Sequence, residues 1–233
     1  MKSALITGGS SGIGSELVSR FSRLGYRVDY TSRHKNASDD RDLVDVHQLD
    51  VCSEQSVIEF CNGVVNSKKK FDLIVLNAGY TEFVPLDETF ENLSPELFSK
   101  IISANLIANY NLIYHLKGCL TTEAHVVLVS SVAAFSKVSS NLAYTLSKNA
   151  IKVMTAVLPK TEFGCIRYNA VAPGLMNTKF TDSFPKKYFD ENMLKTPLGR
   201  LANPSDIADV IECLQSSMKF VNGQTILIDG GFY

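Results

Sequence analysis

The amino-acid sequence predicts an α/β fold, with helices on both faces of a doubly wound parallel sheet. Short apolar runs rich in β-branched residues recur along the chain, which is typical of strands buried on both faces. Segments with helical periodicity alternate with these runs, and a glycine-rich turn follows the first of them. Such alternation favours a parallel sheet whose ligand site lies at the carboxyl ends of the strands.

The elements follow one another without a repeat or a low-complexity linker, so we expect a single domain over residues 1–233. Strands are predicted at residues 4–7, 27–31, 46–49, 73–76, 126–129 and 225–228. Helices are predicted at 13–24, after an N-cap at Ser53, at 95–116, at 142–158, and from Ser205 and Asp206 onward.

The composition is that of an ordinary soluble globular protein, with 45% hydrophobic and 20% charged residues. A net charge of −1 implies no nucleic-acid or anionic-membrane partner, and lysines 68–70 fit a solvated loop. The five cysteines form no CxxC pair, which predicts reduced thiols in a cytoplasmic protein without a metal site. The first residues include no apolar stretch long enough for a signal peptide or membrane span.

The glycine-rich turn reads TGGSSGIG over residues 7–14 and lies between the first predicted strand and the first predicted helix. Glycine lets the backbone turn tightly and approach a pyrophosphate, while the helix N-terminus favours negative charge. A flexible loop is the alternative interpretation. The turn supplies the candidate cofactor-binding residues Gly8, Ser10, Ser11, Gly12, Ile13 and Gly14.

This turn resembles the TGxxxGxG motif of the short-chain dehydrogenase/reductase family, and further family marks follow in order over residues 3–231. The resemblance implies a Rossmann-like fold and an oxidoreductase that uses a nicotinamide cofactor. It assigns adenine contacts to Asp50 and Val51, an NAG motif to Asn77, Ala78 and Gly79, nicotinamide contacts to Pro173, Gly174 and Thr178, and a DGG motif to residues 229–231. It assigns catalysis to Asn105, Ser131, Tyr144 and Lys148.

The chemistry of Tyr144 and Lys148 supports the resemblance. The two residues are four apart on a predicted helix, so they face the same side. An ammonium group near the phenol, together with the positive nicotinamide ring, should lower a pKa that is ordinarily about 10. Tyr144 could then exchange a proton with the substrate oxygen while Ser131 hydrogen-bonds it. The resemblance further implies that Lys148 holds the cofactor ribose and that Asn105 holds a water molecule in a proton relay.

Five of these candidates have an alternative interpretation. Tyr144 could simply be a residue of an amphipathic helix. Ser130 could replace Ser131, although thirteen residues from Ser131 to Tyr144 match the family spacing. Asn105 could be structural, Thr178 could cap a helix, and Asp50 could cap the helix that follows it.

The end of the second strand indicates NADP(H) rather than NAD(H). NAD-specific folds usually have a carboxylate at this point to bind the ribose hydroxyl, whereas this chain has the neutral Ser32. Arg33 could pair with a 2′-phosphate through its planar guanidinium group. Asp29 is close in sequence, but strand alternation should direct its side chain away from the loop.

Three segments refine the expectation. The polar stretch 36–40 indicates that the helix between the second and third strands is short or absent. Residues 121–125 lack the basic side chains of many acyl-carrier reductases of the family.

Residues from about 175 to 199 should form a substrate lid. Its expected apolar inner face consists of Phe180, Phe184, Tyr188, Phe189 and Met193, for which simple packing is the alternative.

The function expected from these observations is interconversion of a carbonyl and an alcohol on a small or medium, partly apolar substrate. A 3-oxoacyl-thioester reductase is the alternative, and a noncatalytic NADP-binding regulatory protein is a third interpretation. The two long helices carry apolar residues on more than one face, among them Ile107, Leu112, Ile113, Ile151, Val153 and Val157. A homotetramer, or failing that a homodimer, is therefore expected.

Overall fold

The computed structural model of the protein describes residues 1–34, 39–135, 141–161 and 165–233. Its described strands form one seven-stranded sheet in the order β3-β2-β1-β4-β5-β6-β7, with every neighbouring pair parallel. The strands are β1 (Ser3–Ile6), β2 (Arg27–Ser32), β3 (Val44–Gln48), β4 (Phe71–Leu76), β5 (Leu120–Val129), β6 (Arg167–Pro173) and β7 (Thr225–Ile228). The predicted fold class is confirmed.

Helices cover both faces of the sheet. They are α1 (Gly12–Arg23), α2 (Glu54–Asn66), α3 (Thr89–Asn92), α4 (Pro95–Ile102), α5 (Ala108–Leu116), α6 (Leu142–Val157), α7 (Lys186–Lys195) and α8 (Pro204–Ser216). One apolar core joins α1 and α8 to the sheet, and a second joins α2, α5 and α6 to the opposite face. No helix in the described ranges is both long and apolar enough to cross a membrane.

The six predicted strands are confirmed to within two residues at each end, except that β5 begins earlier, but β6 was missed. All seven residues of β6 are buried, yet its first half is polar. The Arg167 guanidinium donates to the Leu214 carbonyl, and the Asn169 amide donates to the Val221 carbonyl. Because these polar side chains are buried with partners, an apolar pattern could not reveal the strand.

The long helix predicted at residues 95–116 is confirmed in extent but not in regularity. Between α4 and α5 the chain makes a π-helical turn at Ser103–Ile107, a form often found at functional sites. This turn contains Asn105. The last helix begins at Pro204, one residue before the predicted start, with Asn203 as its N-cap.

The connection between β2 and β3 contains no helix in its described residues, 33–34 and 39–43. The rest of the predicted turn-rich stretch, residues 36–38, lies outside the described ranges. Strand order reverses between β1 and β4. The carboxyl ends of the strands around this switch point are therefore the expected place for a ligand.

Candidate active site

A cavity of about 420 Å³ opens at the carboxyl edge of the sheet. The described residues that line it come from the turn after β1, the ends of β2, β4, β5 and β6, helix α6 and the segment around α7. Both the predicted cofactor residues and the predicted catalytic residues contribute to this wall. The site is thus one continuous space rather than two.

The glycine-rich turn forms one end of the cavity. Gly8, Ser10, Ser11, Gly12 and Ile13 line the wall. Gly12 has φ of +55°, a conformation that favours glycine. Gly14 does not line the cavity; a Cβ atom there would lie 2.1 Å from the Gly8 carbonyl oxygen. Gly14 therefore allows α1 to pack tightly against the turn.

The ends of β2 and β3 form the neighbouring wall. Ser32, Arg33 and Val51 lie on it as predicted, together with His34 and Leu49. Asp50 is not on this wall. Its Oδ1 accepts a hydrogen bond of 2.9 Å from the Cys52 backbone N–H. The alternative that Asp50 caps the next helix is wrong, since the Ser53 hydroxyl caps α2 by accepting from Ser56 N.

Asp29 faces away from this wall, as strand alternation predicts. Its carboxylate is buried against His47, at 2.5 Å from Nε2, and against the Lys69 ammonium group. Asp29 is therefore not placed to repel a phosphate beside Arg33.

The NAG residues are tied to the glycine-rich turn through Thr7. The backbone N–H groups of Asn77 and Ala78 both donate to Thr7 Oγ1 at 3.0 Å. The Asn77 amide donates to the Thr7 and Gly8 carbonyl oxygens at 3.0 and 3.1 Å. Asn77, Ala78 and Gly79 all line the cavity.

Tyr144 and Lys148 project from α6 into the same cavity. Lys148 is only 4% exposed, and its ammonium group donates to the Val129 carbonyl oxygen at 2.7 Å. The same ammonium nitrogen lies 5.5 Å from the centre of the Tyr144 ring. The two side chains therefore share one buried environment, as their four-residue spacing predicted.

The structure distinguishes the two serines that end β5. Ser130 is buried and its hydroxyl donates to the Lys148 carbonyl oxygen at 3.0 Å. The Ser131 side chain instead hydrogen-bonds the Tyr144 phenol, an interaction that lowers the phenol's pKa. The geometry thus favours Ser131 over Ser130 as the residue that faces substrate.

Burial has the dominant effect on both titrating groups of α6. It raises the pKa of Tyr144 to about 12, against the opposing hydrogen bond from Ser131. It lowers the pKa of Lys148 to about 8. The phenol pKa expected to fall beside Lys148 therefore rises in this structure, because desolvation of the phenolate outweighs its stabilisation. At neutral pH Tyr144 is a neutral proton donor.

Asn105 does not line the cavity. It is fully buried, and its side chain accepts from Tyr80 N at 2.9 Å and donates to the Tyr80 carbonyl at 2.8 Å. Its amide also lies 3.3 Å from Ser147 Oγ, which donates to the Tyr144 carbonyl oxygen. These contacts support the structural alternative, in which Asn105 joins the segment after β4 to α6.

Asn141 was not singled out from the sequence, yet it links the same two segments. Its Oδ1 accepts from Tyr144 N at 2.6 Å and caps α6. Its amide donates to Thr81 Oγ1 at 3.2 Å and to the Glu82 carbonyl at 2.7 Å. An asparagine before a helix indicates a cap, but a cap alone does not indicate a tie to a distant loop.

The remaining wall comes from β6 and the segment that follows it. Pro173, Gly174 and Thr178 line the cavity as predicted. Thr178 also immediately precedes the short 3-10 turn Lys179–Thr181, where its N–H donates to Thr181 Oγ1 at 3.2 Å. Its cap position and its place on the wall are therefore both observed.

The aromatic face predicted for residues 175–199 is only partly confirmed. Phe180, Phe184 and Tyr188 line the cavity, but Phe189 and Met193 are absent from its described wall. Phe189 packs against Phe184 instead, with ring centres 6.3 Å apart, and Met193 is 39% exposed.

Comparison with known proteins now adds to this geometry. The family model described as Enoyl-(Acyl carrier protein) reductase matches residues 8–233. A 3-oxoacyl-(acyl-carrier-protein) reductase FabG of Thermotoga maritima is 31% identical over 242 residues, covering 99% of this chain and 97% of that protein.

The chain belongs to the short-chain dehydrogenase/reductase family.

Other members of the family extend the comparison. The acetoacetyl-CoA reductase of Rhizobium meliloti is 28% identical, covering 99% of this chain and 98% of that protein. A Leptospira borgpetersenii short chain dehydrogenase with bound NAD+ has a TM-score of 0.84 at 28% identity, covering 99% of this chain and 92% of that chain. The Pseudomonas aeruginosa RhlG/NADP complex has a TM-score of 0.88 at 25% identity, covering 99% of this chain and 96% of that chain. This short-chain dehydrogenase/reductase is therefore an NAD(P)-dependent enzyme acting on carbonyl or alcohol groups.

Replacing Asn141 with alanine should impair both stability and turnover. The change removes the α6 cap and leaves the Tyr144 N–H and the Glu82 carbonyl without their partner. We expect the free energy of unfolding to fall by about 2 kcal/mol, and kcat per folded molecule to fall about tenfold because Tyr144 is less well positioned. Urea unfolding and initial rates measure the two effects.

Ser53→Ala is the matched control, because Ser53 caps α2 away from the cavity. This variant should lower the free energy of unfolding by about 1 kcal/mol and leave kcat unchanged. An Asn141→Ala enzyme with wild-type kcat would show that Asn141 does not position Tyr144.

Proposed function

We propose that this enzyme uses NADPH to reduce the ketone group of a small or medium, partly apolar substrate. The observation that carries the proposal is the buried Tyr144 phenol. The phenol keeps its proton at neutral pH, it is hydrogen-bonded by Ser131, and it lies beside the Lys148 ammonium group. A neutral phenol suits reduction, in which the substrate oxygen must gain a proton.

The cavity fits a dinucleotide by its own features. The left-handed Gly12 and the close packing at Gly14 leave backbone room at the N-terminus of α1, where a pyrophosphate would be favoured. We propose that Gly8, Ser10, Ser11, Gly12 and Ile13 form this cradle, and that Gly14 serves it indirectly by letting α1 pack against the turn. The adenosine half of the cofactor would be served by Ser32, Arg33, Asp50 and Val51. The rest of the cofactor would be served by Asn77, Ala78, Gly79, Tyr144, Lys148, Pro173, Gly174 and Thr178. For Asp50 the role would be indirect, through the loop that it orders.

A nicotinamide cofactor held by these residues would supply the hydride for the substrate carbon. In the proposed mechanism the Ser131 hydroxyl donates a hydrogen bond to the ketone oxygen and fixes its position. Tyr144 then donates its phenolic proton to that oxygen. The Lys148 ammonium group stabilises the phenolate that remains. Asn105 and Asn141 hold α6 and the segment after β4 in the geometry that this transfer needs.

The preference for NADPH over NADH is supported by the wall at the end of β2. Arg33 lies there without a carboxylate at the preceding position, and the nearby Asp29 faces the opposite side of the sheet. A guanidinium group at this point would pair with a 2′-phosphate, whereas a carboxylate would repel it. The NADP complex of Pseudomonas aeruginosa RhlG is consistent with this preference, and the NAD+ complex from Leptospira shows that the fold accepts both cofactors.

A 3-oxoacyl thioester is the second candidate substrate, favoured by the names of the relatives from Thermotoga maritima and Rhizobium meliloti. The lack of basic residues at 121–125 counts against a carrier-protein substrate but not against a coenzyme A thioester. We further propose that residues 175–199 form a lid, because α7 and the turn before it provide the cavity's aromatic wall.

We also infer a homotetramer or homodimer in the cytoplasm, where thiols stay reduced. Helices α5 and α6 bury Leu112 and Ile151 but leave other apolar residues exposed, at 54% for Tyr110, 57% for Tyr114 and 62% for Val153. Such a surface favours a second copy of the chain. Light scattering at micromolar concentration should give two or four chains; a monomer mass would contradict this inference.

The proposed reaction predicts NADPH-dependent reduction of ketones that is lost in Tyr144→Phe. The variant keeps the ring but has no proton to donate, so kcat should fall by about 10²–10⁴-fold. The measurement is loss of NADPH absorbance with a panel of ketones, aldehydes and 3-oxoacyl thioesters. Binding of NADPH, followed by its fluorescence, should persist in the variant.

Exposed Tyr114→Phe is the control for loss of a phenol hydroxyl and should keep wild-type rates. Undiminished turnover in Tyr144→Phe would refute the assigned role of Tyr144. Tight NADPH binding with no turnover on any panel member would instead favour the noncatalytic interpretation.

Arg33→Ala should remove the preference for NADPH. We expect kcat/KM for NADPH to fall at least tenfold, because one charge-assisted contact to the 2′-phosphate is lost. The value for NADH should change less than twofold. The same assay with each cofactor checks this, with Arg23→Ala on α1 as a control. Equal losses for both cofactors would assign Arg33 a structural role, and a wild-type preference for NADH would overturn the cofactor proposal.

A further inference from the structure

Tyr188 is an aromatic residue on the cavity wall that the proposed chemistry does not use. It lies in the first turn of α7, half-buried, with Asn192 of the next turn also on the wall. Its helix neighbours Lys186, Lys187 and Asp190 are exposed. Tyr188 therefore lines the same cavity as Tyr144.

The ring of Tyr188 is held from two sides. Its centre lies 5.3 Å from that of Phe83 and 5.6 Å from that of Phe184, both in edge-to-face contacts. Phe83 and Phe184 also contact each other, with centres 5.2 Å apart. The three rings join the segment after β4 to α7, so the Tyr188 ring has a fixed place.

The backbone under this ring is held as well. The Asn192 amide donates to the Tyr188 carbonyl oxygen at 2.7 Å, and the Tyr188 N–H donates to the Pro185 carbonyl at 2.9 Å. Tyr188 is therefore a preorganised part of the wall.

Burial raises the pKa of the Tyr188 phenol, against a smaller opposing effect of the Asn192 side chain. Tyr188 also makes a smaller contribution to the raised pKa of Tyr144, so the two phenols lie within electrostatic reach of each other. A neutral phenol can donate one hydrogen bond. Two hydroxyl donors, Tyr144 and Tyr188, thus approach the substrate space from different elements.

Packing alone does not account for this hydroxyl. The aromatic residues that surround Tyr188 are phenylalanines, which give the same ring contacts without a polar atom. Asn192, which also lines the cavity, is the side-chain hydrogen-bond partner of this phenol. Tyr188 and Asn192 thus form a polar pair beside the aromatic cluster, which points to a polar group in the ligand.

We propose that Tyr188 is a specificity-determining residue that donates a hydrogen bond to a second carbonyl oxygen of the substrate, distinct from the ketone that is reduced. This inference rests on the proposed ketone reduction. An ester or thioester carbonyl has the required chemistry, because it is uncharged and accepts a hydrogen bond. Tyr188 then orients the substrate so that the other carbonyl meets Ser131 and Tyr144.

The test compares two ketones of the same chain length, ethyl 3-oxobutanoate and 2-heptanone, of which only the ester has a second carbonyl. Tyr188→Phe keeps the ring contacts and removes the hydroxyl. We expect kcat/KM for the ester to fall about tenfold, mainly through KM, as for loss of one hydrogen bond. The value for 2-heptanone should change less than twofold.

Phe184→Leu is the control, because it loosens the ring cluster without removing a polar atom. It should lower kcat/KM for both ketones by the same factor. Equal changes for both ketones in Tyr188→Phe, or none, overturn the role of Tyr188 and leave the ketone reductase intact. A wild-type enzyme that reduces neither ketone overturns the proposed function and this inference with it.

Discussion

An ammonium group removed from water must be given hydrogen-bond acceptors, and Lys148 meets this requirement at the end of β5. Its side chain donates to the Val129 carbonyl, while its own carbonyl accepts from Ser130. Lys148 is thus fixed at both ends to one strand. These two bonds hold α6 against the end of β5, and Tyr144, one turn earlier, lines the cavity with Ser131.

Burial of Lys148 and Tyr144 also determines which protonation state each of them has at neutral pH. Desolvation lowers the pKa of Lys148 to about 8 and raises that of Tyr144 to about 12. At neutral pH the pair therefore holds two protons, one on a cation and one on a neutral phenol. In this state Tyr144 has a proton that it can donate to a ketone oxygen.

Buried polar side chains also connect α6 to the other elements that line the substrate space. Asn105 and Asn141 tie the segment after β4 to α6, and Phe83 in that segment contacts Tyr188 of α7. The proton donor and the proposed lid therefore share one support. A change in this support should affect catalysis and specificity together.

The sequence predicted the parts of this arrangement that depend on local pattern. Apolar runs, helical periodicity and the glycine-rich turn predicted the parallel sheet, and the spacing of Tyr144 and Lys148 predicted their common face. It could not predict β6, whose polar residues find partners only in the folded chain. The tie made by Asn141 and the rise in the Tyr144 pKa both depend on packing between segments distant in sequence. For the same reason, pattern alone could not separate Phe184, which reaches the cavity, from Phe189, which does not.

The pH dependence of ketone reduction tests whether protonated Lys148 supports proton donation by Tyr144. Lys148 must be protonated to stabilise the Tyr144 phenolate, and its proton is lost as the pH rises through about 8. Reduction with saturating NADPH should therefore have a kcat/KM that is level at neutral pH and falls about tenfold per pH unit above that point. A kcat/KM that instead rises with pH from neutrality to pH 9 would mean that the deprotonated pair is the active form, and would overturn the roles assigned to Tyr144 and Lys148.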